Sequence, residues 1–244
     1  MSIYLFDKAQ YEHMKQLKGS HVYHLPLAVH TERLNQLLSM KEEAIREPRR
    51  SYKYDVSFVG SLYEKNHYRA VHYLPEYIKG FVCGVTAAQQ KIYGYDLIPE
   101  VLNQTVLEEL KQYVKMKLNP EYLIDTKQLY VDMIHTEVTC QERVTLLKRA
   151  LEYFNVKIFT ASQSDELPEQ AFAGTVSYDR EMPQVFHASK INLNISLRSI
   201  YTGIPLRAFD IMGCGGFMIT NFQEDFLRHF EPDEEVVFYS SYDE

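Results

Sequence analysis

The sequence is short of several things that would place it quickly. It has no tryptophan, three cysteines, and no apolar run near the roughly 18 residues of a membrane span. Cys83, Cys140 and Cys214 form no Cys-x-x-Cys pair, so a reducing, cytoplasmic setting is expected. Ser2 to Phe6 is too short for a signal peptide and leads straight into charged residues. Positive charge is also scarce: the net charge is -7 with no long basic block, which argues against nucleic acid as a partner. The short cluster Arg46, Arg49, Arg50, Lys53 reads as a solvated linker. No Gly-x-Gly-x-x-Gly follows any strand, so a nicotinamide dehydrogenase is disfavoured. His135 and Glu137 stand two apart on a helical pattern and face different ways, so no metal site is expected there.

What is present is enough apolar residue, 45%, to bury a proper core. The most informative stretch runs from Ser199 to Thr220 and reads as loop, helix, glycine stop and buried strand. Thr202 is a candidate N-cap and Pro205 fits a first helical turn. Ile204, Ala208, Ile211 and Met212 share one face, while Arg207 and Asp210 lie three apart on another. Gly213, Gly215 and Gly216 close the helix, and Phe217-Met218-Ile219 opens a strand. The anion-ready end of this helix is its start, where free N–H groups of Thr202 and Gly203 and the helix dipole favour phosphate.

A second stretch, Tyr54 to Ser61, is a β-rich strand ending in Gly60-Ser61, then a polar helix start with Lys65 and Arg69. Gly60 lets a ligand approach the backbone, and the two cations can neutralise phosphate. The bland reading is a tight strand–helix turn with two surface cations. Ahead of it lie strands at Ile3–Phe6 and His21–Leu25 and helices over 8–18, capped by Asp7 and closed by Gly19, and about 31–43. From about 68 to 154 the pattern is helical, with four or five helices broken near Pro75, Gly80, Gly94, Pro99 and Pro120. Strands follow at 156–160, 175–177, 191–195 and 236–239. Asp179 is a candidate cap for a helix through Gln184, and Asn221 for one through Leu227. Strands alternating with helices from Tyr54 onward argue for an α/β, doubly wound parallel sheet. Ligands bind outside the carboxyl ends of such strands, so Gly60-Ser61 and Thr202-Gly203 are expected to converge on one crevice. Both ends of the chain read as cut, as in a fragment.

Tyr54-Asp-Val-Ser-Phe-Val-Gly-Ser61, Pro205-Leu-Arg-Ala-Phe-Asp-Ile-Met-Gly-Cys-Gly-Gly-Phe217 and Glu234-Glu-Val-Val-Phe-Tyr239 together resemble the C-terminal half of GT-B glycosyltransferases. The closest likeness is to the bacterial family-1-like, spore-maturation glycosyltransferase-like group. Leu25-Pro-Leu-Ala28 looks like that family's crossing between two Rossmann-like domains. The resemblance implies a domain over 51–244 that holds a nucleoside-diphosphate sugar, with a helical section at about 66–154. Residues 1–50 would be a remnant or connector of an N-terminal domain that is otherwise missing and usually binds the acceptor, of the class glycan, lipid or protein. It places Asp210 on the ribose hydroxyls and Thr202 where an acid often contacts the donor sugar. Arg207, Lys65 and the N–H groups after Thr202 would stabilise the leaving diphosphate without a metal. No general base stands out. Arg198 and His187 flank the crevice as structural residues, and Cys214 is a packed thiol. Two rivals remain: a non-catalytic binding module of the same fold, favoured by Thr202, and an epimerase, which would need convergent acids or a histidine.

Overall fold

The computed structural model describes residues 2–16, 21–42, 52–116 and 125–242. Gly19, Pro120 and the Arg46, Arg49, Arg50 cluster lie outside the described residues.

Short apolar runs between turns become strands buried on both faces, as parallel sheets require. Five of them, β3 (Tyr54–Val59), β4 (Val156–Phe159), β5 (Ser189–Asn194), β6 (Met218–Asn221) and β7 (Val237–Tyr239), form one all-parallel sheet in the order β4-β3-β5-β6-β7. The order reverses direction after β3 and β4, which is the doubly wound arrangement. A separate pair, β1 (Ser2–Leu5) and β2 (His21–His24), is also parallel and is joined by α1 (Lys8–Met14).

One face of the large sheet is covered by α2 (Thr31–Glu42), α7 (Met182–His187) and α8 (Leu206–Gly213). Leu34, Phe186, Ala208, Ile211 and Met218 meet there. The other face packs on α6 (Thr126–Tyr153), where Leu147 joins Val56, Phe58, Val156 and Ile158. At 1.5 Å per residue the 28 residues of α6 span about 42 Å, twice the roughly 20 Å of a six-residue strand. Its N-terminal half therefore runs out past the carboxyl ends of the strands. There it packs with a 3-10 helix (His67–Tyr73), α3 (Glu76–Gln90), α4 (Ile98–Val101) and α5 (Gln104–Tyr113) around Ile78, Val82, Leu107, Ile134 and Val138. The four or five helices read from sequence correspond, among the described residues, to four α-helices and one 3-10 helix, and Gly80 is not a break but lies inside α3.

The overhang is fixed by a buried polar cluster. Arg198, in the loop after β5, donates to Glu142 of α6 at 2.7 Å, and both side chains are buried. The Tyr93 and Tyr239 hydroxyls each donate to the other Glu142 oxygen at 2.9 Å. Burial and the Glu142 charge push both phenols well above their usual range, so both keep the proton they donate.

Several local expectations are corrected. Thr175–Ser177 forms no strand. Instead Phe172 bridges Ile158 and Gly174 accepts from Thr160 N–H, which covers the outer edge of β4. Asp179 does not cap α7; it pairs with Arg33 at 2.7 Å, and α7 begins after Glu181. Asn221 ends β6 rather than opening a helix, its Oδ1 accepts from Ser196 N–H, and a 3-10 helix starts at Glu224. His135 is not solvated but 1% exposed, with Nε2 at 3.0 Å from Asp96.

Asp7 does cap α1, through Oδ1 and Gln10 N–H, but it does more. Its Oδ2 accepts the N–H groups of Tyr201, Thr202 and Gly203 at 2.7, 2.9 and 3.0 Å, and its side chain is fully buried. A Cβ on Gly203 would lie 2.9 Å from the Asp7 Cα, so glycine is required for that approach. Asp7→Ala strands three buried donors and is expected to cost about 3 kcal/mol, whereas Asp7→Asn, which keeps an acceptor oxygen, costs less. Urea unfolding of the two variants measures the difference.

Candidate functional site

The helix α8 begins at Leu206, with Pro205 as an extended N-cap residue and no side-chain cap bond. Thr202 is therefore not its cap: the Thr202 hydroxyl accepts from Ala9 N–H at 3.3 Å, and Thr202 C=O accepts from Asp225 N–H. Nor are the Thr202 and Gly203 N–H groups free, since Asp7 takes both. The nest does hold an anion, but one supplied by the chain itself.

Asp210 sits one turn into α8 and is 6% exposed. Tyr178 OH donates to its Oδ1 at 3.0 Å, and Arg207 reaches its Oδ2 at 3.4 Å. Arg207 also donates to the Met182 sulfur and lies over the Phe186 ring at 5.5 Å. Burial raises the Asp210 carboxyl above the usual range against the opposing pull of Tyr178 and Arg207. Burial likewise lowers Arg207 and raises the Tyr178 phenol. A cavity of about 160 Å³ opens beside this group, lined by Ala28, His30, Arg33, Tyr178, Asp210 and Cys214. The Cys214 thiol is packed, with burial pushing it up to about 12, and His187 Nδ1 lies 3.0 Å from Cys214 C=O.

The turn after β3 is tight for a packing reason. A Cβ on Gly60 would meet the Phe58 ring at 3.3 Å, and Gly60 N–H donates to Phe159 C=O. The Ser61 hydroxyl accepts from Tyr63 N–H at 3.1 Å, and Arg143 of α6 binds the Ser61 and Ile195 carbonyls. Tyr63 has φ 60, a left-handed conformation uncommon outside glycine, asparagine and aspartate. Its ring lies 4.9 Å from the Arg143 guanidinium. Lys65 is exposed in the loop, and Arg69 is exposed on the 3-10 helix rather than on an α-helix. Neither forms an ion pair among the described residues.

A second cavity, of about 230 Å³, lies at the carboxyl ends of β5 and β6 under the helical section. Its walls include Tyr95, Asp96, Tyr201, Thr202, Asn221 and Phe222, with Arg198 at its side. The expected single crevice is thus divided: Asp210 lines one cavity and Thr202 the other, while Gly60 and Ser61 line neither. Sequence reasoning missed Tyr178, Tyr63 and Asp96, which carry no local spacing signal. For Asp7 it had the cap and not the long-range contact.

Against known families, residues 133–244 match the model described as glycosyl transferase-like. The matched segment runs from the middle of α6 to the end of the chain, includes α8 with Arg207 and Asp210, and is consistent with the C-terminal half of a GT-B glycosyltransferase. Gly60, Ser61, Lys65, Arg69 and Asp96 lie before the matched residues. No curated protein and no solved structure matches the chain. Among the described residues no group of three or more His, Cys, Asp or Glu side chains is placed to hold a metal, and no helix is long and apolar enough to cross a membrane.

The raised carboxyl in the glycosyl transferase-like segment has a readable sign. A carboxyl whose folded value lies above the unfolded one loses stability on ionising. That cost is absent below the ordinary carboxylate value and complete above the raised one. The stability of wild type relative to Asp210→Asn should therefore fall as pH rises from about 4 to 7. Paired urea unfolding curves across that range check it, and a flat difference would contradict the shift.

Proposed function

We propose that this protein supplies the donor half of a glycosyltransferase, moving a sugar from a nucleoside-diphosphate sugar to an acceptor. The observation that carries the reading is the buried Asp210, set with Tyr178 and Arg207 on a cavity inside the glycosyl transferase-like segment. A carboxylate that accepts one hydrogen bond on each oxygen keeps acceptor capacity on both, which suits the adjacent hydroxyls of a ribose. The leaving diphosphate gains negative charge in the transition state and needs cations aimed at it. Arg207 is one, and the exposed Lys65 and Arg69 are the others, with Gly60 and Ser61 giving backbone approach. Thr202 and Gly203 enter only in altered form. A diphosphate reaches their N–H groups after the Asp7 carboxylate has withdrawn.

We assign residues 51–244 to the donor-binding domain and 1–50 to a connector. The exposed, stacked Tyr4 and Tyr23 of the two-stranded sheet, 5.4 Å apart, give a further acceptor-binding domain a face to pack on. One observation favours a second reading, a non-catalytic module: the N–H nest is already filled by the chain's own carboxylate.

Calorimetric titration with UDP and GDP separates these. On the first reading one nucleotide binds, and Asp210→Ala and Arg207→Ala each weaken it by about tenfold or more. Sugar release from the matching donor then distinguishes the enzyme from the module. Absence of binding of either nucleotide at millimolar concentration sinks the donor reading.

A further inference from the structure

The cavity beside Asp210 carries a second charged pair that the ribose contact does not use. Tyr178 and Asp179 follow one another in the loop ahead of α7 and serve different partners. Tyr178 OH donates to Asp210, whereas Asp179 Oδ1 accepts from Arg33 Nη2 of α2 at 2.7 Å. Arg33 and Asp179 both line the cavity. Their side chains are 52% and 68% exposed, so the pair is worth little by itself and costs little to open. Arg33 Nη2 also lies 3.4 Å from the Asp179 carbonyl. Among the described residues nothing bonds to Arg33 Nε or Nη1, or to Asp179 Oδ2.

A fork of donors beside a fork of acceptors is a pattern that the edge of a nucleobase can match. Among the common bases only guanine carries two adjacent donors, N1–H and the N2 amino group, next to two adjacent acceptors, O6 and N7. The Asp179 carboxylate suits the donors, and the Arg33 guanidinium suits the acceptors. Uracil presents one donor between two carbonyl oxygens, and those oxygens repel a carboxylate. Cytosine and adenine each bring a single amino group, which leaves the second carboxylate oxygen unmet. The other walls suit a flat ring, since Val29, Leu34, Met182 and Pro183 are apolar. At about 160 Å³ the space is about half of the roughly 300 Å³ at which drug-sized sites begin, so it holds a base and not a whole nucleotide.

We propose that Arg33 and Asp179 select guanine, so that the donor is a GDP-sugar and not a UDP-sugar. The inference rests on the donor reading above and adds the identity of its nucleotide. It also gives α2 a task at the site, although α2 lies before the matched residues.

Calorimetric titration of the full chain with GDP, UDP, ADP and CDP tests it, on wild type, Arg33→Ala, Asp179→Ala and Asp179→Asn. Both positions are exposed, so the substitutions leave the fold intact, and melting curves verify this. The expected result is that wild type binds GDP about tenfold or more tighter than the other three nucleotides. Each alanine variant should lower that preference to about twofold or less. Asp179→Asn carries an opposite signature. Its amide turns one acceptor into a donor, which favours the C2 carbonyl of xanthine over the amino group of guanine. Xanthosine diphosphate should therefore gain about tenfold on GDP in that variant alone, a reversal that a loss of structure does not produce. Equal affinity of wild type for all four nucleotides, preference for a base other than guanine, or a guanine preference that survives both alanine substitutions overturns the inference. In those cases nucleotide still binds, and the donor reading stands. If none of the four binds at millimolar concentration, both fall together.

Discussion

The contact between Glu142 and Arg198 is what lets the rest of this molecule take its shape. Two charges removed from water at 2.7 Å are worth little net unless every remaining donor and acceptor is met. Here the Tyr93 and Tyr239 hydroxyls also donate to Glu142, and Arg198 also donates to the Ile92 and Gln90 carbonyls. These groups come from four places in the chain: the end of α3 and the loop after it, α6, the loop after β5, and β7. The pair therefore fixes the direction in which α6 leaves the sheet. That direction in turn sets the roof of the carboxyl-edge cavity. Breaking one partner would leave an unpaired charge in a buried site, so the arrangement is held in all-or-none fashion.

With that roof in place, the carboxyl edge is divided electrostatically. On the α8 side are carboxylate and guanidinium with a tyrosine hydroxyl, half-closed by the segment from Ala28 to Leu34. Under the roof, among the described residues, the Arg198 guanidinium is bonded to Glu142 and to the Ile92 and Gln90 carbonyls. Arg143 ties the ends of β3 and β5 together through the Ser61 and Ile195 carbonyls.

Much of this was legible in the sequence, for a physical reason. Parallel strands buried on both faces leave short apolar runs between polar turns, and β3, β4 and β6 stand out that way. The helix–glycine–strand order at Leu206 to Asn221 is local chemistry, with Gly215 at φ 64 closing the helix as expected. Arg207 and Asp210 are three apart on one helix, so their pairing was local too. The failures share one cause. Thr202 has the residue type of a cap, but its N–H is satisfied by a carboxylate 195 positions away. His135 was judged against Glu137 beside it, while its partner is Asp96 from a different helix junction. Tyr178 reaches Asp210 across 32 positions. Spacing rules describe one element at a time, and these sites are built where elements meet.

The Asp7 contact has a bearing on how the molecule is assembled in time. It closes a loop of nearly the whole chain, and the entropy of closure grows with the logarithm of loop length. The β1–α1–β2 unit also buries little: none of the α1 side chains is buried, and both strands are half-exposed. It is thus the part with the least to hold it and the longest tether, a cooperative unit that opens before the five-stranded sheet does. The amides of Tyr201, Thr202 and Gly203 record that opening, since they exchange with solvent only when Asp7 has left.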